Sequence, residues 1–374
     1  MQPAFLSRLF LCHFNPLKMS IRYKFFLCII LTCTLFIQCK NEVSKTEGNP
    51  IAFSMVSGQT MGTFYNITYE SPLNLKSEFD EILVDINNAV STYISSSTIS
   101  ILNTDSLGII ANNQVIYSLP FNNHFINNYN SAKVVFNTSS KFFDPTIMPL
   151  VNYWGFGYSG KRPIEEVDSL KVYQLKSTVG FDKWTMQKVN SVLHIRKPLN
   201  SKLDFSGIAK GYGVDIIAAF LDEKNIKNYM VEIGGEVMTK GNNSKSLPWT
   251  IGLSKPEVSA GFRDFQTLVS LSGVGMASSG NYRNYYEVDG KTYGHEINPK
   301  TGFPEINKLL GTSVIAQNCK MADAYATAFM VMGLERSQNL IENLDGIEAC
   351  FFIRSQTGEI STVTSSDFQR YLKK

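Results

Sequence analysis

Residues 203–237, LDFSGIAKGYGVDIIAAFLDEKNIKNYMVEIGGEV, decide the class of the fold. Apolar side chains at Ile208, Tyr212, Ile216, Ile217, Phe220 and Leu221 recur at the three- and four-residue spacing of one helix face, which predicts a helix over 208–221. Tyr229 to Ile233 then reads as a strand running into Gly234-Gly235. Outward from this unit, Phe64–Tyr69, Gln187–Ile195, Thr250–Leu253, Thr267–Leu271 and Glu348–Ile353 read as strands. Leu75–Tyr93 and Met321–Leu334 read as helices, and Asn123–Phe136 as a weaker one. The Ser-rich stretch Ile94–Leu107 reads as a loop with short turns, and Asp144–Gly160 is turn-rich and aromatic. Strands outnumber helices and do not alternate with them regularly. The expectation is therefore α+β, with mixed or antiparallel sheets and packed helices, not a doubly wound parallel sheet.

The chain of 374 residues is 44% hydrophobic and 18% charged, enough apolar content for a sizeable core. Its 35 Lys+Arg against 32 Asp+Glu give a balance too weak to argue for nucleic acid. Beyond residue 40 no run of about 18 apolar residues occurs, which excludes several membrane-spanning helices. The N-terminus is different. Arg22 and Lys24 precede FFLCIILTCTLFI at 25–37, an uncharged stretch with the length of a signal peptide and short for a spanning helix. Gln38-Cys39 and a polar segment follow, similar to a bacterial lipoprotein signal in which the cysteine is lipidated, although Gln38 stands where a small residue is usual. The division expected is 1–38 signal peptide, 39–50 tether and 51–374 functional domain, with Met1 or Met19 as the start and the mature protein extracytoplasmic, on the periplasmic side. Cys319 and Cys350 could pair in an oxidising compartment, but no spacing marks a zinc site or a disulfide framework.

Four segments concentrate glycine and polar chemistry. GQTMGT at 58–63 puts two glycines around Met61 just before a strand, which lets backbone approach a flat ligand. LDFSGIAKG at 203–211 opens a helix, with Asp204 and Ser206 as candidate caps, free N–H groups that attract anions, and Lys210 one turn in. It lacks the spacing of a Walker loop. SSGNYR at 278–283 and GHEINPKTG at 294–302 supply Arg283 for phosphate contact and His295 for proton transfer. In CKMADAYATA at 319–328, Asp323 and Thr327 lie four apart on one helix face, an oxygen pair suited to a hard cation such as Mg²⁺. Each segment alone also has a structural reading: a glycine turn, a capped helix, a hydrogen-bonded loop histidine, a capping aspartate with a back-bonded threonine.

Together the segments resemble the FAD:protein FMN transferases, the ApbE family. The resemblance rests on GQTMGT at 58–63, FFDPTIMPLVNYWGFG at 142–157, LDFSGIAKGYGVD at 203–215, VEIGGEV at 231–237, ASSGNYRNYY at 277–286, HEINPKTGFP at 295–304 and ADAYATAFMVMG at 322–333. It implies an α+β fold with an FAD cleft between two sub-lobes, formed by the helix after Ser206 and the helix holding Asp323. It also implies Mg²⁺-dependent transfer of the FMN half of FAD to a threonine of an acceptor flavoprotein with a Ser/Thr-rich target motif, releasing AMP. Carried over residue by residue, Met61, Tyr93, Phe142, Phe143, Asp144, Asp204 and Lys210 match FAD contacts. The Gly207 carbonyl, Asp323 and Thr327 match metal ligands, and His295 matches the group that activates the acceptor hydroxyl. One departure stands out: Asn298-Pro299 replaces the Asp-Pro usual after the histidine motif. The alternative reading is a periplasmic FAD-binding lipoprotein without transferase activity.

The leader yields its own expectation. Cys39→Ser should release the protein from the membrane fraction or leave the leader uncleaved. Unchanged lipid labelling of that variant would assign the acylation to another cysteine, such as Cys33.

Overall fold

The computed structural model describes residues 52–157, 166–257, 261, 264–281, 285–288, 291–305, 308–355 and 358–373. Signal, tether and Cys39 therefore lie outside the described residues, as does Arg283. Eight strands form the main sheet in the order in which they occur along the chain: Phe53–Thr60, Thr63–Glu70, Tyr229–Ile233, Glu236–Lys240, Gly275–Gly280, Leu309–Ala316, Glu348–Arg354 and Ile360–Thr364. Every neighbouring pair is antiparallel. The excursion between the second and third strands carries a four-stranded sheet, Ile109–Ala111, Gln114–Pro120, Val192–Pro198 and Thr185–Val189, paired in that order. It also carries the helices Lys76–Val90, Asn123–Thr138 and Ala209–Glu223. This is the α+β architecture expected. Among the described residues no helix is long and apolar enough to cross a membrane.

Two hairpin turns and two glycine contacts position the functional site. Thr60 pairs with Thr63 across Met61-Gly62, whose φ values of 49° and 72° are both left-handed. Ile233 pairs with Glu236 across Gly234-Gly235, with φ of 65° and 107°. Left-handed central residues match the twist of the flanking strands, so such turns close hairpins without splaying them. A methionine in this conformation costs about 1–2 kcal/mol that glycine would not. The strands Thr63–Glu70 and Tyr229–Ile233 are neighbours, so both turns emerge at one end of the sheet.

The helices Lys76–Val90 and Ala209–Glu223 bury Phe79, Leu83, Val214, Ile217 and Leu221 against Tyr65, Ile67, Val231 and Ile233 of the sheet. The helix Cys319–Met332 is buried along most of its length. Its first residue is gripped from two sides. A Cβ on Gly211 would lie 2.5 Å from the Cys319 carbonyl oxygen, and one on Gly275 would lie 2.5 Å from the Cys319 nitrogen. Cys319 and Cys350 are both buried free thiols.

The structure departs from the sequence reading in places. Gly58–Thr60 belongs to a strand, and Gly58 faces Tyr65, whose ring occupies the space a side chain at 58 would fill. The Ser-rich stretch holds a helix, Thr98–Leu102, capped by Ser97, and a 3₁₀ turn at Asp105–Leu107. The stretch expected as one strand over 187–195 is a hairpin that turns at Asn190, where φ is 54°. Strands Gly275–Gly280 and Leu309–Ala316 and helix Ser169–Lys176 carried no periodic signal. Gly211→Ala should lower stability by about 1–3 kcal/mol or more, because the obstructing atoms are backbone and the two helices must part. Urea unfolding measures this, and an unchanged midpoint would mean that the helices do not touch there.

Candidate active site

The helix Ala209–Glu223 begins after the FSG turn with no side-chain cap of its own. Asp204 does not cap it: Asp204 Oδ1 instead accepts from Ser206 N–H at 2.8 Å and fixes the turn ahead of the helix. The Gly211 N–H in the first turn donates to Asp323 Oδ2 at 3.0 Å. The anion attracted to this N-terminus is thus a carboxylate from the other helix. The arrangement is reciprocal. Asp215 accepts from the N–H groups of Cys319, at 2.7 Å, and Lys320, at 3.1 Å, while Asn318 is the local cap and accepts from Met321 N–H. Asp323 is therefore no cap of its own helix.

Lys210 reaches into the space between the helices. Its Nζ lies 3.0 Å from Glu236 Oε1 and 4.0 Å from Asp323 Oδ2. Asp323 is 3% exposed and Glu236 4%. Burial raises both carboxyls above their ordinary range, and Glu236 is pushed up to about 8 against the opposing pull of Lys210. Burial disfavours the ammonium too, but Asp323 and Glu236 outweigh it and hold Lys210 above its usual value. Burial likewise lifts Asp215, to about 6. Thr327 lies one turn beyond Asp323. A Cβ on Gly207 would come within 2.9 Å of Thr327 Oγ1, so backbone at 207 runs directly against that hydroxyl.

Lys210, Glu236, Asp323, Thr327 and Gly207 face a cavity of about 510 Å³ also lined by Phe142, Phe143, Asp144, Asp204, Ser278, Ser279 and His295. A second cavity of about 690 Å³, more apolar, is lined by Met61, Gly62, Val84, Asn87, Val90 and Ile94. The two share Thr92, Tyr93, Asp204, Ser206 and Lys210. Every described residue carried over from the family as an FAD contact, a metal ligand or the catalytic histidine thus lines one cavity or the other. Asp144 takes part through its hydrogen bonds: it accepts from Thr146 N–H and Oγ1 and from Phe181 N–H, anchoring the turn that carries Phe142 and Phe143. Lys300 Nζ stands 3.8 Å from the Phe142 ring centroid and the Arg336 guanidinium 5.2 Å, so two cations flank an aromatic wall of the site. Glu236 and Asp215 were missed as functional positions. Both sit inside segments that drew attention, but a lone acid after a Gly-Gly turn or in mid-helix has no spacing signature.

His295 Nε2 lies 3.2 Å from Glu296 Oε1, and its ring centroid is 6.2 Å from that of Phe156. The following turn is built by Asn298. Its carbonyl accepts from Gly302 N–H, its Oδ1 accepts from Lys300 N–H at 2.9 Å, and its Nδ2 donates to Glu305 Oε2 at 2.9 Å. Trp154 Nε1 donates to the Gly302 carbonyl at 2.8 Å, tying the 142–157 segment to the histidine loop. An aspartate at 298 would place its carboxylate against Glu305. Here the amide is the residue that completes the turn, which gives the departure from the family pattern a local cause. Asn298→Asp should cost about 1–3 kcal/mol through the lost donor and the like-charge contact, and Glu305→Gln should restore most of it. Thermal unfolding of the single and double variants checks this. An Asn298→Asp protein as stable as the parent would refute the account.

Comparison with known proteins agrees with this geometry. The family model described as "ApbE family" matches residues 61–351. The FAD:protein FMN transferase of Haemophilus influenzae is 34% identical over 323 residues, covering 84% of this chain and 90% of that protein. The enzyme of the same name from Escherichia coli K12 is 27% identical over 350 residues, covering 92% and 96%. Among solved structures, the flavin transferase ApbE from Vibrio cholerae aligns with a TM-score of 0.73 at 31% identity, over 86% of this chain and all of that one. The apo form of the Pseudomonas stutzeri flavinyl transferase ApbE aligns at 0.74 and 30%, over 86% and 96%. With a family model spanning most of the chain and relatives matched nearly end to end, the chain belongs to the ApbE family.

Proposed function

We infer that this protein is an FAD:protein FMN transferase, which moves the FMN moiety of FAD onto a threonine hydroxyl of an acceptor flavoprotein and releases AMP. One observation carries the reading: two adjoining cavities meet at Tyr93, Asp204, Ser206 and Lys210, with His295, Asp323, Thr327 and Gly207 on the wall of one of them. Cavities of this size suit a cofactor-sized ligand, and a bipartite site suits a dinucleotide. A mere binder of FAD would need no histidine on the cavity wall that also carries Lys210 and Asp323.

In this reading His295 takes the proton of the acceptor threonine as its oxygen bonds to the FMN phosphorus, and the phosphorus–oxygen bond to AMP breaks. Lys210 faces the negative charge that gathers on the phosphates. Phe142 and Phe143 wall off water, and Asp204 and Tyr93 sit where the two halves of the dinucleotide join. Met61 and its left-handed turn border the apolar cavity.

The fit of Mg²⁺ follows from the donor set. Asp323 is a buried carboxylate, Thr327 a hydroxyl on the same helix face, and the backbone at Gly207 runs against that hydroxyl with no room for a side chain. Among the described residues no cluster of three His, Cys, Asp or Glu offers a richer cage. One carboxylate with neutral oxygens is what a hard cation uses when substrate phosphates and water complete its shell. When bound, the cation neutralises phosphate charge. The acylated Cys39 and placement on the periplasmic side of a membrane are proposed from the leader sequence.

The test incubates the protein with FAD, Mg²⁺ and a Ser/Thr-rich acceptor and follows flavin fluorescence that survives denaturing electrophoresis. His295→Ala should cut transfer roughly 10²–10⁴-fold with FAD affinity little changed. Asp323→Ala should abolish the Mg²⁺-dependent reaction, and Thr327→Val should weaken it less. Normal turnover in Asp323→Ala would remove the cation site from that helix face.

A further inference from the structure

Four buried side-chain atoms among the described residues lack a hydrogen-bond partner: Asn128 Oδ1, Asn152 Oδ1, Thr312 Oγ1 and Glu236 Oε2. Of the four residues, only Glu236 lines either of the two cavities. Burying such an atom unpaired is unfavourable, more so when the group is charged, and the local fold places it there. Glu236 follows the Gly234-Gly235 turn directly. Gly234 packs closely on the neighbouring strand: a Cβ there would lie 2.8 Å from Thr63 Cγ2. The strand register then fixes Glu236 opposite Ile233, and the side chain extends to Lys210, which engages Oε1 alone.

We propose that Glu236 Oε2 hydrogen-bonds directly to one half of the bound FAD, making Glu236 a substrate-contacting residue of the transferase site. The inference rests on the flavin-transfer reading. What it adds is the atom the free protein leaves unpaired. Glu236 shares the cavity wall with Lys210, Asp204 and Gly207, so a dinucleotide that reaches Lys210 passes within reach of the same carboxyl.

The experiment measures binding, without turnover, of the two halves separately. The full chain, its Glu236→Leu variant and its Glu236→Gln variant are titrated in EDTA with FMN, by fluorescence quenching, and with AMP, by calorimetry. Glu236→Leu should weaken one half roughly 10- to 100-fold and leave the other near its native affinity. Glu236→Gln, which keeps a polar head at that point, should recover part of the loss. If both halves bind the Leu variant as they bind the native chain, the contact does not exist. If both weaken alike, Glu236 acts only by holding Lys210 and the proposal also fails. Should Glu236→Leu not fold, judged by its melting curve, Glu236→Gln decides: a smaller loss confined to one half supports the contact, and none in either half overturns it. A native protein that binds neither half would refute the flavin reading itself, a result distinct from all of these.

Discussion

Two carboxylates exchanged between two helices hold this molecule's functional end together. Asp215 accepts from the first N–H groups of the helix Cys319–Met332, and Asp323 of that helix accepts from Gly211 in the first turn of the helix Ala209–Glu223. Each supplies negative charge where the partner's unpaired N–H groups are concentrated. The exchange requires the backbones to touch, and Gly211 and Gly275 provide the clearance on both sides of Cys319. Asp323 thereby serves two ends. One oxygen locks the helices, and the same buried residue faces the cavity beside Thr327 and Gly207.

The lock has an electrostatic consequence. It gathers Lys210, Glu236 and Asp323 where little water reaches, so the single ammonium is shared between two carboxyls that burial has raised. A site in this state has unspent capacity for both signs of charge. In the proposed function the oxygens of Asp323 and Thr327 would hold a cation, and Lys210 would face the phosphates. Lys300 and Arg336 over Phe142 add a second positive border. The adjoining cavity, lined by Met61, Val84, Val90 and Ile94, is more apolar and suits a flat ring. The histidine reaches this cleft through a loop that owes its shape to Asn298, Glu305 and Trp154, residues that supply hydrogen bonds to the turn rather than chemistry.

By itself the sequence determined which local structures form and which chemical groups are available. The helix face over 208–221 and the strand over 229–233 are period-3.6 and period-2 patterns that need no tertiary context, and both formed within a residue or two of their expected ends. The oxygen pair Asp323 and Thr327 was legible because four residues make one turn. Tertiary structure alone decided what Asp204, Asp323 and Asn298 do with their side chains. Asp204 turned out to fix a turn, Asp323 to cap a helix a hundred residues away in sequence, and Asn298 to satisfy Glu305. It also decided that the glycine-rich segment at 58–63 is mostly strand, since Tyr65 lies across Gly58, and that Glu236 belongs to the site. The reason is that a hydrogen bond or buried charge depends on the partner, and these partners arrive from distant segments brought together by the sheet. Periodicity records only what a residue owes to its own element.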